Sequence, residues 1–298
     1  MKQGVAMSIG ASVLFASMYF YVTLMRPYDG DIIFAWRVLL GLPALALMVL
    51  RARAWGEVRA VGRRMRKPGF LALSVLSAAL LAVQLWLFVW APLHGMGLDV
   101  SMGYFLLPLM MVVAGRLFYR ERLSGPQSWA VGLAAMGVAH ELFRVGAVSW
   151  ATAVVILGYP PYFMLRRRLG VGSLVALWYD MLFLLPVALL VLQIQGQEAL
   201  SAFLEHPRLF FLVPMLGLLS SAALAMYFAS SRMLPLSLFG LLGYIEPVLL
   251  FWVAFLVLGE PVTASQWLTY VPIWVAISLV GFEGLQKWRA EARQVRTP

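Results

Sequence analysis

Three charged side chains stand more than one helical turn inside otherwise apolar stretches of this sequence: Arg37, Asp180 and Glu246. If these stretches cross a membrane, each charge is costly unless it is paired or hydrated, so each residue is a candidate for function. Arg37 could bind a carboxylate, and Asp180 could bind an ammonium group or carry a proton. The two residues could instead form a structural ion pair, or Arg37 could extend towards the membrane surface. Both interpretations stay open at this point.

Glu246 belongs to a short run that predicts a kink. It lies between Tyr244 and Pro247 and follows Gly243 by three residues. A proline in a membrane helix leaves a backbone carbonyl group about one turn earlier without its helical partner, so the run predicts a bend that lines a cavity. A carboxyl group there could take up and release a proton, which makes Glu246 a proton-coupling candidate together with Asp180. A glutamate held by a fixed hydrogen bond is the structural alternative.

Aromatic residues surround a lone amide side chain in the third apolar stretch. Gln84 stands among Trp86, Phe88 and Trp90. Aromatic walls with few polar groups suit amphipathic or aromatic solutes, whereas helix packing or an interfacial aromatic belt is the alternative. The predicted residues of a substrate cavity are Arg37, Asp180, Gln84, Trp86, Tyr104, Tyr179 and Tyr244.

Residue patterns of enzymes, metal sites and cofactor sites are missing from the sequence. The chain has no cysteine, and its three histidines are scattered without the spacing of metal ligands. It has neither a phosphate-binding loop nor a nucleophile motif. We therefore expect no catalytic residue, no metal and no cofactor. Without an ATP site, concentrative transport would have to use an ion gradient or exchange.

Apolar stretches of membrane-spanning length must position the candidate residues. Of 298 residues, 62% are hydrophobic and 12% are charged, which leaves too little polar surface for a water-soluble protein. The stretches are long enough as helices to cross about 30 Å of hydrocarbon. They predict an all-α membrane protein with ten transmembrane helices over residues 4–24, 32–50, 70–92, 101–119, 127–143, 147–165, 174–193, 209–230, 237–258 and 266–285. A short interfacial helix could also form within 51–69.

The basic residues predict the orientation of these helices. With a cytoplasmic N-terminus, nineteen of the 23 Lys and Arg residues lie on the cytoplasmic side, and only Arg26, Arg144 and Arg208 lie on the other. This asymmetry places both termini in the cytoplasm and requires an even number of helices. The net charge of +10 then indicates contact with the anionic headgroups of a lipid bilayer, and we expect no nucleic-acid partner.

A spaced motif occurs twice with different surroundings. Pro108 precedes Glu121 by thirteen residues, and Pro247 precedes Glu260 by the same distance. Arginines crowd the first copy near its glutamate, and no Lys or Arg lies near the second, so the element is expected to face opposite sides of the membrane. We expect the two glutamates to cap the connections between helices four and five and between helices nine and ten. The two prolines are expected to be structural.

The repeat divides the chain into two halves of five helices, residues 1–145 and 146–298. Arg37 and Asp180 each precede a proline by six residues, so they hold equivalent positions in the second and seventh helices. Because five is odd, the second half enters the membrane with the opposite orientation. Such inverted repeats are typical of secondary transporters and predict a substrate cavity near the midplane of the membrane.

Short segments in a fixed order make the chain resemble the drug/metabolite transporter superfamily, in its EamA-like branch, and most of all the RarD-type proteins. The segments cover nearly the whole chain and include Arg37, 87–91, 99–105, Pro108, Glu121, Asp180, 244–247, 259–260 and 273–276. Leu107 stands where the family pattern has asparagine, and Arg120 and Glu246 stand where it has glycine. The resemblance implies a multi-pass transporter of the bacterial inner membrane that moves a small metabolite, amino acid or drug-like solute, by efflux.

The sequence also fits two functions other than transport of small molecules. A flippase for lipid-linked substrates would need a basic headgroup site on the cytoplasmic side, for which Arg116, Arg120 and Arg122 are candidates. A membrane-embedded enzyme would need buried chemistry, which only the three intramembrane charges offer. A small-molecule substrate and the lipid bilayer are the expected partners, and the chain could also form a homodimer.

Overall fold

The computed structural model describes residues 2–94, 96–146, 149–256 and 264–294. Within these ranges the chain forms helices and no strand, which confirms the all-α prediction. A short 3-10 helix occupies Ala91–His94. The α-helices are α1 (Lys2–Thr23), α2 (Gly30–Arg51), α3 (Trp55–Arg64), α4 (Pro68–Trp90), α5 (Gly97–Tyr119), α6 (Gly125–Val145), α7 (Trp150–Leu169), α8 (Ser173–Ile194), α9 (Gly196–Glu205), α10 (Leu209–Met233), α11 (Leu236–Leu242), α12 (Ile245–Leu256) and α13 (Ala264–Gln294).

Six of these helices are long and apolar enough to cross a membrane: α1, α2, α4, α5, α8 and α10. Two shorter apolar stretches, Leu236–Leu249 and Trp267–Glu283, add to them. Large apolar side chains also point away from the protein, since Phe143 is 85% and Trp129 is 74% exposed. A surface of this kind is stable in hydrocarbon and costly in water. These features indicate a multi-pass membrane protein.

The boundary between the fifth and sixth predicted helices is set by two caps. Gly146 ends α6 in the left-handed conformation, with φ of 82°, which glycine adopts without strain. Ser149 begins α7, because its side chain accepts a hydrogen bond from the backbone N–H of Thr152. Two separate helices therefore form where only a few residues divide the apolar stretches.

The ninth predicted helix, 237–258, is broken. Helix α11 ends at Leu242, Gly243 follows as its cap, and α12 begins at Ile245. Pro247 has no N–H to donate to the carbonyl group of Gly243, so a continuous helix would leave that group without its partner. The kink expected from the sequence is therefore an interruption between two short helices.

Two helices occupy stretches that were predicted as loops. Helix α3 lies within 51–69, where the sequence allowed an interfacial helix. Helix α9 lies between α8 and α10 and was not predicted. It contacts α2, where Phe203 stacks on Trp36 at a centroid distance of 6.4 Å, and the loop before α2, where Tyr28 donates a hydrogen bond to the backbone oxygen of Ala199.

Helices from the two halves of the chain interleave. Helix α1 packs on α10, α2 on α8 and α10, α4 on α7 and α8, α5 on α7 and α11, and α6 on α13. The approach is close where small residues allow it. An added Cβ atom at Gly217 of α10 would lie 2.6 Å from the Cβ atom of Leu40 on α2. The two halves therefore share one core.

Candidate functional site

A narrow cavity, which we call the central cavity, lies among helices of both halves of the chain. Helices α1, α2, α4, α5, α7, α10 and α12 all contribute to its wall, so both halves of the chain enclose it. The lining residues are Phe15, Arg37, Gln84, Leu85, Phe88, Tyr104, Tyr159, Leu224, Tyr227, Phe228 and Glu246. Its volume of about 20 Å³ is room for one or two water molecules. The cavity must therefore widen before it can hold a metabolite.

Arg37 is the buried cation of this cavity. Its side chain is only 3% exposed. Its Nε atom donates to the Ser220 hydroxyl at 3.1 Å, and its Nη1 atom donates to the backbone oxygen of Leu85 at 3.4 Å. The guanidinium carbon also lies 5.7 Å from the centre of the Phe88 ring. Among the described residues no carboxylate forms an ion pair with Arg37. A buried cation without a counter-charge can attract an anionic group.

Glu246 is the acidic residue of the same cavity. It stands in the first turn of α12, directly after the break that follows α11. Helix breaks in transporters often provide polar groups to a substrate site. No ion pair within the described ranges engages its carboxyl group, and three tyrosines line the cavity with it. Arg37 and Glu246 therefore place a basic and an acidic side chain in one aromatic cavity.

Asp180 belongs to a different cluster. Its carboxylate accepts hydrogen bonds from the Tyr162 hydroxyl and from Nη1 of Arg166, both at 3.1 Å. Asp180 is 3% exposed, and Arg166 also donates to the backbone oxygen of Ser173. Arg166 reaches this site because α7 continues to Leu169, whereas the sixth helix was predicted to end at 165. The described contacts of Asp180 therefore join α7 to α8 and do not include Arg37.

Three other predicted cavity residues lie outside the lining. Trp86 donates its indole N–H to the Asp31 carboxylate at 2.8 Å. Tyr179 donates its hydroxyl to the backbone oxygen of Val58 at 2.9 Å. Tyr244 is fully buried beside the helix break. Of the predicted set, Arg37, Gln84, Tyr104 and, as a proton-coupling candidate, Glu246 are thus brought together.

Several lining residues were not predicted from the sequence. They are uncharged residues of apolar helices, so nothing in the local sequence pattern distinguished them: Phe15, Tyr159, Leu224 and Phe228. Tyr159 had one usable signal, because two prolines follow it and glycine precedes it. Such a run within an apolar helix marks a place where the backbone is altered. Within the described ranges, no group of three or more His, Cys, Asp or Glu side chains could hold a metal ion.

Glu121 connects the two halves at one end of the protein. Its carboxylate accepts the backbone N–H groups of Leu236 and Ser237 at 2.7 and 2.8 Å, at the start of α11. Arg167 forms an ion pair with it at 3.6 Å. The sequence predicted a cap between the fourth and fifth helices. The described contacts instead cap a helix of the other half, and Ser124 with Gln127 caps α6.

The remaining residues of the repeat have separate positions. Pro108 lies inside α5, where its backbone oxygen is 2.8 Å from the position that a Cβ atom of Gly240 would occupy. Pro247 stands in the first turns of α12. Glu260 lies outside the described residues. Pro108 therefore contributes to a close contact between α5 and α11.

Polar contacts gather at the loops that were predicted to face the cytoplasm. Arg167 donates to the backbone oxygens of Ser231 and Leu234 at 3.0 and 2.9 Å. Nearby loops are joined in the same way, because the backbone N–H of Gly172 donates to Glu57 at 2.7 Å. These bonds join α7 to α10 and α3 to the start of α8, and the Glu121 contacts join the end of α5 to α7 and α11.

An open basic pocket lies beside Glu121. It is lined by Arg116, Arg120, Glu121, Arg122 and Leu123 and has a volume of about 440 Å³. The adjacent side chains of Leu117 and Phe118 are exposed and apolar. Guanidinium groups next to an apolar surface match the boundary between headgroups and hydrocarbon in a membrane.

Known proteins align with this chain over nearly its full length. No family profile matches the chain. A protein from Pseudomonas aeruginosa, described as chloramphenicol-sensitive protein RarD, is 49% identical, and the alignment covers 98% of each chain. An uncharacterized transporter from Haemophilus influenzae is 35% identical over 95% of each chain. One solved crystal structure superimposes with a TM-score of 0.67 at 17% identity, over 93% of this chain and 96% of the other. At this identity, the similarity is evidence for the fold alone.

Proposed function

Because the chain belongs to the RarD-type drug/metabolite transporter family and is therefore a membrane transporter, we propose that it moves a small solute through the central cavity by alternating access. The observation that carries the proposal is that Arg37 and Glu246 line one aromatic cavity without forming an ion pair with each other. Arg37 is buried and has no carboxylate partner among the described residues. An anionic group on the solute would supply the missing counter-charge.

Each part of the cavity has a chemical role in this proposal. Arg37 binds a carboxylate or a similar anionic group, because a guanidinium stays charged and can donate two parallel hydrogen bonds. The aromatic walls bind the apolar body of the solute. Glu246 takes up a proton or faces a cationic group and so couples transport to a gradient. Asp180 stabilises the contact of α7 with α8, because Arg166 already neutralises it.

The packing of the helices supports two inverted five-helix repeats. If a two-fold axis relates the halves, α1 corresponds to α7, α2 to α8 and α4 to α10. In the same way, α5 corresponds to the α11–α12 pair and α6 to α13. The contact of α1 with α10 then predicts an equivalent contact of α7 with α4. The contact of α5 with α7 likewise predicts one of α12 with α1. The contact of α2 with α10 becomes that of α8 with α4. Each of these contacts is present, as a two-fold relation between the halves requires.

Alternating access needs a device that closes each side in turn. Glu121 and Arg167 hold the end that we assign to the cytoplasm, where they join α5 and α7 to the start of α11. Glu260 holds the equivalent position in the repeated sequence motif.

The lipid bilayer has a defined contact in this proposal. Both termini lie in the cytoplasm, and the pocket of Arg116, Arg120 and Arg122 faces anionic headgroups of the inner membrane. Efflux is the expected direction, by analogy with the family. A flippase would use the same arginines as its headgroup site, which keeps that function as the second candidate.

Transport by purified protein in liposomes tests the proposal. We would measure uptake of amino acids, aromatic carboxylates and chloramphenicol, with and without a pH gradient. One class of solute should accumulate when the gradient is present. Arg37→Gln should weaken its binding by about tenfold or more, since a charged hydrogen bond contributes about 1.5–3 kcal/mol. Glu246→Gln should remove the dependence on the gradient.

A control variant separates these effects from a general loss of charge. Arg64 also donates to a backbone oxygen, that of Leu169, but it lies outside the cavity, so Arg64→Gln should leave affinity unchanged. A folded Arg37→Gln protein with the affinity of the wild type would exclude the binding role. Lipid scrambling without transport of any solute would favour the flippase.

A further inference from the structure

Gln84 lines the cavity, and its buried side-chain oxygen accepts no hydrogen bond from the described residues. Its side chain is 1% exposed, and its Nε2 atom donates to the backbone oxygen of Val154 on α7 at 2.9 Å. A backbone oxygen can only accept, so this bond fixes which end of the amide is nitrogen. The Oε1 atom has no hydrogen-bond partner among the described residues. An acceptor in this situation costs stability until a donor reaches it.

Gly158 gives this amide the room that it needs. A Cβ atom at Gly158 would collide with Nε2 of Gln84 and would lie 3.3 Å from its Cδ atom. Gly158 stands one turn after Val154 on α7, so the amide lies across this glycine and bonds to the preceding turn. The next residue, Tyr159, lines the cavity. The position of the Gln84 amide is therefore set by α7.

We infer that Gln84 is a specificity-determining residue that accepts a hydrogen bond from the solute through Oε1, and that Gly158 positions it. The inference rests on the proposed function, because it assumes that the cavity binds the transported solute. It adds a requirement for an N–H or O–H group on that solute.

The position of Arg37 indicates where this donor group stands on the solute. The guanidinium of Arg37 bonds to the backbone oxygen of Leu85, the residue that follows Gln84. Arg37 and Gln84 also line the same cavity of about 20 Å³, so a solute whose anionic group binds Arg37 has the atoms next to that group inside the cavity that Gln84 lines. The chemical class that fits is an α-amino or α-hydroxy carboxylate. The rings of the cavity wall favour an aromatic body on such a solute.

Three probes that differ at one position test the requirement. L-Phenylalanine, L-3-phenyllactate and 3-phenylpropionate share a benzyl group and a carboxylate, and carry an ammonium, a hydroxyl and a hydrogen at the α-carbon. We would measure their affinity for the full-length protein by calorimetry. The first two should bind about a hundredfold more tightly than the third, because the third leaves the buried Oε1 acceptor of Gln84 without a donor.

Two variants and one matched control assign this preference to Gln84. Gln84→Leu should weaken binding of the first two probes to the level of the third and leave the third unchanged. Gly158→Ala should do the same by displacing the amide. Gly132→Ala is the control, because Gly132 also lies within a long helix but a Cβ atom there meets nothing within 4 Å. Its affinities should equal those of the wild type.

Thermal unfolding without any probe gives a second readout. Gln84→Leu removes an unsatisfied acceptor, and the Val154 oxygen keeps its hydrogen bond within the helix, so the melting temperature should stay the same or rise. A purely structural role for Gln84 predicts a clear fall, which would overturn the inference.

The binding results separate this inference from the proposed function. Equal preference in the wild type and in Gln84→Leu, with binding still dependent on Arg37, would overturn the role of Gln84 alone. The same holds if the wild type does not discriminate among the probes, since water would then satisfy Oε1. Failure of folded wild-type protein to bind any of the three would remove both the carboxylate site and the inference.

Discussion

Replacing Glu121 with glutamine should open the end of the protein that we assign to the cytoplasm. The carboxylate accepts two backbone N–H groups at the start of α11 and pairs with Arg167. Glutamine has nearly the same shape, but it is neutral and has only one oxygen acceptor. One N–H group of Leu236 or Ser237 therefore loses its partner.

The size of the effect follows from these contacts. A hydrogen bond to a charged group contributes about 1.5–3 kcal/mol. The ion pair with Arg167 adds less than about 1 kcal/mol, because both side chains are partly exposed. A loss of about 2 kcal/mol from the closed state corresponds to about a 30-fold increase in the open population, at 1.4 kcal/mol per factor of ten.

Labelling of a single cysteine can measure that population. The natural chain contains no cysteine, so a Ser231→Cys variant carries one thiol. Ser231 is buried, and its backbone oxygen accepts a hydrogen bond from Arg167 beside the Glu121 contacts. The rate of reaction with a water-soluble maleimide should rise about 30-fold when Glu121→Gln is added, if labelling follows the open population. The melting temperature is recorded in parallel to show that the protein remains folded.

A second acidic residue provides the control. Glu141 accepts a hydrogen bond from Thr269 and pairs with Arg144 near the end that we assign to the opposite side. Glu141→Gln should leave the labelling rate of Ser231→Cys unchanged. An unchanged rate in folded Glu121→Gln protein would refute the reasoning, since it would mean that Glu121 does not hold this end closed.

Three further predictions concern stability and can be checked by thermal unfolding in one detergent. Asp180→Asn should cost about 3–5 kcal/mol because it leaves Arg166 buried without its charge partner, and replacing both residues with apolar ones should recover much of the loss. Arg120→Gly should gain about 1 kcal/mol, because Arg120 has φ of 52°, a left-handed conformation that costs non-glycine residues energy. Gly217→Ala should lose about 1–3 kcal/mol through overlap with α2, whereas Gly281→Ala, with open space around it, should not.

The helices and the buried charges could be predicted because both depend on local pattern. A helix in a membrane satisfies its backbone groups within four residues, so an apolar stretch of sufficient length is enough to specify it. Arg37 and Glu246 stood out for the same reason, since a charge in such a stretch is expensive wherever it lies. The break after α11 was also visible, through Gly243 and Pro247.

Local pattern could not show which polar groups meet. Arg166 belonged to a cluster of arginines at a predicted loop, and only the longer α7 brings it to Asp180. Glu121 lies 115 positions before Leu236, whose backbone it caps in the other half of the chain. The sequence contains both residues of each pair, but the pairing follows from how the helices pack.

The sequence by itself therefore determined an all-helical membrane chain with costly charges inside its apolar stretches. Only the tertiary structure decided that Arg37, Gln84 and Glu246 line one cavity and that Asp180 does not. The physical reason is the range of the interactions. Helix formation depends on neighbours within one turn, whereas the cavity depends on the contact of seven helices from both halves of the chain.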